Sequence, residues 1–383
     1  MGKPAAVVWD DSLLGYDMGA EHPLNPVRLD LTVRLAGELG VLTGVDLLKP
    51  RFASAEEVER VHEPGYLAAV RAAPSSALGV GHGLGTADNP VFERMHEASS
   101  LVVGASLVAA EQIVSGAADR AVNIAGGLHH AMRDHAAGFC VYNDCAAAIG
   151  YLLDSGVERV AYVDVDVHHG DGVQAAFYAD PRVLTISLHQ HPTTLWPGTG
   201  YARELGSGQA MGTSVNLPLP PGTEDAEWLR AFHAVVPSLL AAFRPQVLVT
   251  QCGVDSHRED PLADLALTVD GHRAIYRVLR ELALRHAEGK WLALGGGGYE
   301  LARVVPRSWT HLLATVLDRD LEPETALPQG WAERTGKAVM GDGGQTLFEH
   351  WGGDASLPVD VAIRDTRRAV FPLHGLDPDD PRD

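Results

Sequence analysis

Cysteine is scarce in this chain: Cys140, Cys145 and Cys252 are the only three among 383 residues. An odd number, at spacings that match no zinc knuckle, argues against a disulfide framework and a closed all-cysteine metal site. It implies a reducing compartment, and a cytoplasmic protein is expected. Positive charge is scarce too: 30 basic residues face 50 acidic ones, a formal charge of −20. That balance speaks against a basic groove for nucleic acid. The same field would favour cationic partners such as lysine-rich peptides or polyamines. No apolar run approaches ~18 residues, so no membrane span is expected. The first ten residues lack the apolar core and cleavage site of a signal peptide. Also missing are a Gly-x-Ser-x-Gly elbow, triad partners for any cysteine, a Walker lysine and a dinucleotide fingerprint.

What is there suits a large core, with 46% hydrophobic and 21% charged residues. Apolar strands alternate with polar or glycine-rich loops and amphipathic helices. Strands are expected at Ala5–Trp9, Ala121–Ile124, Val160–Val167, Val183–Leu188, Val247–Gln251 and Trp291–Leu294. Helices are expected near Val27–Leu39, Ala55–Val61, Pro64–Ala72, Pro90–Ser115, Asp144–Leu153, Gly172–Tyr178, Ala226–Phe243, Asp270–Ala287 and Tyr299–Leu317. Such alternation implies an α/β fold with a mostly parallel sheet and helices on both faces. Residues 1–383 read as one domain, with motifs within about 22–317 and an extension over 318–383. The glycine-rich stretch Pro74–Pro90 reads as a long functional loop. The Gly-, Asp- and Pro-rich tail from about Pro323 reads as a surface wrap.

In an open parallel sheet, ligands bind beyond the carboxyl ends of the strands. Four expected strands run there into polar clusters: Gly126-Gly127-Leu128-His129-His130, His168-His169-Gly170-Asp171, Gly253-Val254-Asp255 and Gly295–Gly298 before Tyr299. Side chains alternate faces along an extended backbone. Asp164, Asp166 and His168 would therefore share one face, and Val163, Val165 and Val167 the other. A mixed His/Asp face is costly to bury unless a cation sits on it, and it suits a divalent metal with a vacant position. Asp255 alone would more often cap a helix; beside this cluster it becomes a further ligand. His129 and His130 alone would as readily be a surface or core-satisfied pair. Near a metal they are candidate proton carriers, with Asp164 and Asp171 as the spare carboxylates that orient them. Tyr299 can donate to a developing oxyanion. Phe139, after Gly138, and Trp196 are candidates for a slot around a thin aliphatic chain.

These motifs, with Tyr142-Asn143-Asp144 and Pro197-Gly198-Thr199-Gly200, occur in an order that resembles the zinc-dependent histone deacetylase superfamily. The likeness runs from about His22-Pro23 to Leu317. The bacterial acetoin-utilisation branch is nearest, through Gly83-Leu84-Gly85-Thr86-Ala87-Asp88-Asn89-Pro90 and the overall length. The resemblance implies an arginase-like three-layer α/β/α fold. It implies Zn²⁺, or Fe²⁺ in its place, on Asp166, His168 and Asp255. Asp164 would orient His129 and share a K⁺ site with Ser187 and Leu188. A second K⁺ would sit by Phe177, Asp180 and Val183. Asp171 would orient His130, and Phe139 and Trp196 would wall the acyl-lysine channel with Gly138 and Gly297. Asp88 would grip the substrate backbone, and Arg28 would lie near an inner cavity linked to acetate release.

The implied reaction is hydrolysis of an acyl-lysine amide. Metal-activated water attacks, His130 is the general base and later the acid, His129 supports electrostatically, and Tyr299 donates to the oxyanion. Two departures stand out: Leu128 where many eukaryotic members carry tryptophan, and Trp196 where phenylalanine is common. The implied substrate is an acetylated protein such as an acyl-CoA synthetase. An acetylpolyamine or other small acetylated amine is the alternative. A non-catalytic acyl-lysine reader and a dimanganese ureohydrolase compete less well. The first would not need the full set of His129, His130, Tyr299 and metal ligands, and the second would need more bridging carboxylates.

Overall fold

The protein is described by a computed structural model over residues 5–76, 79, 81–319, 321–353 and 355–383. In chain order the strands are β1 (Ala5–Val8), β2 (Leu47–Leu48), β3 (Arg120–Asn123), β4 (Val160–Asp164), β5 (Val183–Gln190), β6 (Ser214–Leu219), β7 (Val247–Gln251) and β8 (Trp291–Leu294). They form one eight-stranded sheet in the order β2-β1-β3-β8-β7-β4-β5-β6, and every pairing is parallel. All carboxyl ends therefore meet one rim. The inner strands β4, β5, β7 and β8 are buried along their whole length. That accounts for their near-continuous apolar runs, as expected where helices cover both faces.

Helices α1 (Val27–Glu38), α2 (Ala55–Glu59), α3 (Pro64–Ala72), α4 (Met95–Val114), α5 (Asp144–Asp154) and α6 (Asp171–Phe177) precede β5. Helices α7 (Asp225–Phe243), α8 (Val269–His286), α9 (Val305–Val316), α10 (Gln329–Thr335) and α11 (Pro358–Val370) follow β6. One face of the sheet carries α4, α5 and α6; the other carries α1, α9, α8, α7 and α11. This is the expected three-layer α/β/α arrangement. Helix α4 is long and apolar enough to cross a membrane, but most of it is buried against the sheet and α5.

Four features depart from the sequence expectation, each for a local reason. Strand β4 stops at Asp164 instead of running on to Val167. Asp164 Oδ1 accepts the N–H of Asp166 (3.2 Å), and Asp166 Oδ1 accepts that of His168 (3.0 Å). These i to i+2 bonds pull the chain out of the ladder. Helix α9 starts at Val305, not Tyr299. Pro306 fits only the first turn, where a missing N–H has no helical partner to lose. Strand β6 breaks the apolar pattern with Asn216 and Pro218, and it lies at the sheet edge, where proline is tolerated. Finally, the tail is more than a wrap: α10 and α11 bury Trp331, Val359, Ile363 and Val370, and α11 covers β6.

Candidate active site

The rim brings the expected residues together. Asp166 and His168 follow β4, Asp255 follows β7, and their ligand atoms all lie within 4.8 Å of one another, buried. His168 Nδ1 is 3.1 Å from both Asp166 Oδ1 and Asp255 Oδ2. Two buried carboxylates and one imidazole leave an excess of negative charge. Asp255 shows the strain of that excess: burial and then the charge of Asp166 push it up to about 6. Burial pulls His168 down, but its hydrogen bonds to Asp166 and Asp255 outweigh it and raise it to about 10. The same attraction that traps a proton there would hold a divalent cation instead. The donor set and its closeness fit such an ion.

Each carboxylate is aimed by neighbours. Asp166 Oδ2 accepts from Gln251 Nε2 at 2.7 Å and from the Gly297 N–H at 2.8 Å. Asp255 Oδ1 accepts the Val167 N–H at 2.9 Å. The glycine run is what permits this approach: a Cβ on Gly297 would lie 2.0 Å from Asp255 Oδ2. Arg28 is buried beneath the run and donates from Nη1 to the carbonyls of Gly296 (2.8 Å) and Gly298 (3.1 Å). The structure thus sets Gly297 against the metal-type carboxylates and Arg28 against the loop that leads to Tyr299.

Two His–Asp pairs stand beside this group. His129 Nδ1 is 2.7 Å from Asp164 Oδ2, and His130 Nδ1 is 2.7 Å from Asp171 Oδ1. The two Nε2 atoms are 2.9 Å apart. Asp164 also accepts the Tyr162 hydroxyl at 2.6 Å. Burial lowers His129, but Asp164 and Asp166 more than offset it and hold it up at about 9. Burial and the neighbouring His129 push His130 down to about 4. One imidazole is therefore held charged and the other neutral, a division of roles that suits acid and base work. A dication on Asp166 would weaken the hold on the His129 proton.

The slot is built from loops. Gly138 sits at φ +51, and a Cβ there would lie 2.5 Å from His130 Cδ2 and 2.6 Å from Trp196 Cη2. Phe139 packs edge-on to Tyr299 (ring centroids 5.7 Å), and Trp196 edge-on to His130 (4.7 Å). The Tyr16 hydroxyl donates to the Phe139 carbonyl at 2.8 Å and fixes that wall. Trp196 remains 46% exposed at the mouth. Tyr299 is partly buried, with its N–H donating to Asp260 Oδ2 at 2.8 Å. Burial and the nearby Asp255 and Asp166 raise its phenol well above the ordinary value, so it stays a hydrogen-bond donor. Asp88 is exposed, and its carbonyl lies 3.2 Å from His22 Nε2, whose ring packs on Phe139.

Asp164 and Ser187 oppose each other across β4 and β5, with Leu188 next on β5. Phe177, Asp180 and Val183 form the turn into β5, where the Phe177 and Asp180 carbonyls accept N–H groups of Asp180 (3.0 Å) and Val183 (3.2 Å). Several supporting residues escaped the sequence reading. Tyr162 lies two positions before Asp164, so the period-two rule could have found it. Gln251 is the polar end of an apolar strand. Asp144 accepts the N–H groups of Gly127 and Leu128 and so shapes the turn before the histidines. Asp342, in the tail, had no local sequence cue. Its side chain is 3% exposed and meets His257 Nε2 (2.9 Å), Arg307 Nη1 (2.9 Å) and Lys337 Nζ (3.1 Å). His257 lies two residues beyond Asp255.

Comparison with known proteins agrees with the fold. The histone deacetylase domain matches residues 22–316. The acetoin utilization protein AcuC of Bacillus subtilis (strain 168) is 42% identical over 333 residues, covering 86% of each chain. Its Staphylococcus xylosus counterpart is 36% identical over 335 residues, covering 86% of this chain and 87% of that one. The crystal structure of an HDAC homolog from Aquifex aeolicus superposes with a TM-score of 0.84 at 29% identity, covering 95% of this chain and 100% of that one. An HDAC homolog complexed with SAHA matches to the same degree.

Proposed function

The chain belongs to the histone deacetylase family, and from that premise we propose that it removes acetyl groups from lysine side chains of proteins and releases acetate. The observation that carries this reading is the convergence of two His–Asp pairs and Tyr299 on the buried Asp166/His168/Asp255 group. On this reading Asp166, His168 and Asp255 hold Zn²⁺. When bound, the ion would polarise the amide carbonyl and acidify water. His130 Nε2, kept neutral and oriented by Asp171, takes the proton of the attacking water and returns it to the leaving amine. His129, oriented by Asp164, provides positive charge beside the developing negative centre. The Tyr299 hydroxyl donates to the oxyanion. Phe139 and Trp196 hold the aliphatic stem of lysine and exclude bulk water. The two K⁺ sites belong to the same reading.

Exposed Asp88, whose carbonyl meets His22 beside Phe139, supports a peptide over a free amine, because its carboxylate would accept substrate main-chain N–H groups. The test is a side-by-side kcat/KM comparison on an acetyl-lysine peptide and an acetylpolyamine, with zinc loaded. The peptide is expected to be preferred and SAHA to block its turnover. Preference for the polyamine would move the assignment to a small acetylated amine. No turnover of either would overturn the enzyme reading.

A further inference from the structure

Away from the rim, α8 and α9 enclose a second polar cavity of about 110 Å³. Its wall carries Arg273, Arg277, Arg280 and Arg319, a dense positive cluster in a chain of net charge −20. Two carboxylates share the wall, Glu281 and Asp318. Glu281 is engaged by Arg285 on the outer face at 3.3 Å, and Asp318 takes Arg280 Nη2 at 2.7 Å. Arg273 is paired with the exposed Glu322 at 2.7 Å. Among the described residues Arg319 donates to neutral carbonyls, those of Gly40 (2.7 Å) and Thr43 (2.6 Å). Arg277 has no ion-pair partner among the described residues. The carbonyl end of α9 adds roughly half a negative charge. Against four guanidinium groups, the described residues still leave more than one unit of positive charge uncancelled.

The hydrogen-bond inventory points the same way. Arg280 Nε and His311 Nε2 both belong to the cavity wall, and both are buried without a partner. Arg120 Nε, close enough to Arg280 to feel its charge, is also buried and unpartnered. An unpaired buried donor is destabilising, and a guanidinium N–H can only donate. Burial and then Arg273 push His311 down to about 3, so its imidazole is neutral and adds no charge of its own. Water could satisfy such donors one at a time, but it cannot offset the excess charge. An oxyanion does both, because its several oxygens accept from a fork of guanidinium donors.

We propose that this cavity between α8 and α9 is a binding site for a phosphate group, separate from the deacetylase site. The test is calorimetric titration of the full chain with inorganic phosphate and, in a parallel arm, a phosphomonoester, with ionic strength held by chloride. One saturable site is expected, weakened about tenfold or more by Arg277→Glu and by Arg319→Gln. Arg277 is exposed and has no ion-pair partner among the described residues, so Arg277→Glu should melt at the unaltered temperature in phosphate-free buffer. In the unaltered protein, His311 ring resonances should move with phosphate and not with chloride. Tighter binding of the phosphomonoester would identify a tethered phosphate as the ligand, and equal binding the free ion. No saturable binding in the millimolar range, or binding undiminished in both variants, would overturn the site.

Discussion

Two buried ionic clusters lie close together in this protein, and they are opposites. Around Asp342, one carboxylate meets Arg307, Lys337, His257 and the Val269 N–H. Burial alone would raise its pKa, but those partners hold it well below the ordinary carboxylate range. That carboxylate is fully matched, although Arg307 Nη2 beside it is buried without a partner. At Asp166, His168 and Asp255, two carboxylates share one imidazole, and Asp255 is pushed up to about 6. That cluster is incomplete, and its missing charge is the size of a cation. Buried charge that is fully paired holds a fold together; buried charge left in excess marks a place for something else.

The sharpest way to break this contrast is to remove one acid from each. Asp342→Asn should leave Arg307 without its carboxylate, while Lys337 keeps Glu259, and destabilise the protein by about 3–5 kcal/mol, measured by denaturant unfolding. Asp255→Asn, in metal-stripped protein, should cost far less or raise the melting temperature, while divalent metal affinity collapses. If both substitutions destabilise the stripped protein equally, the contrast fails. Next in size, Tyr299→Phe should lower kcat by ~10²–10³ with metal content unchanged by atomic absorption.

A smaller effect is expected at Gln251, which donates to Asp166 but sits outside the ligand set. Gln251→Leu should weaken zinc binding by ~10–100-fold in a chelator competition. The last prediction concerns pH. His130 acts as a neutral base, and its pKa is lowered to about 4, by burial first and by His129 second. Activity should therefore be fully present above pH 6.5 and lost only as pH falls toward 4. A bound dication would push that limb lower still. An acid limb of kcat/KM at 6.5 would mean that His130 is not buried as described, or is not the base.

Much of the Asp166/His168/Asp255 cluster was legible in the chain, because the chemistry is carried by adjacent residues at strand ends. The parallel sheet followed from alternation, and the rim followed from the polar residues after four strands. The period-two argument grouped Asp164 with Asp166 and His168, yet β4 ends at Asp164, whose carboxylate turns to His129 and Tyr162. Side-chain to backbone bonds, invisible to periodicity, decide that split. The Asp342 cluster was not legible. Asp342 meets His257 from 85 positions away, in a glycine-rich stretch with no pattern, and only the fold brings them together. Strand β6 was hidden for a related reason, because an edge position tolerates the proline that argues against a strand.

The central claim is that the incomplete cluster takes a divalent cation and thereby hydrolyses acetyl-lysine. The most direct measurement is acetate release from an acetyl-lysine peptide by metal-stripped protein during a zinc titration, with Asp255→Asn alongside. The account predicts activity that rises to a plateau at one equivalent of zinc and is absent in the variant. Turnover without metal, or turnover that survives Asp255→Asn, would contradict it.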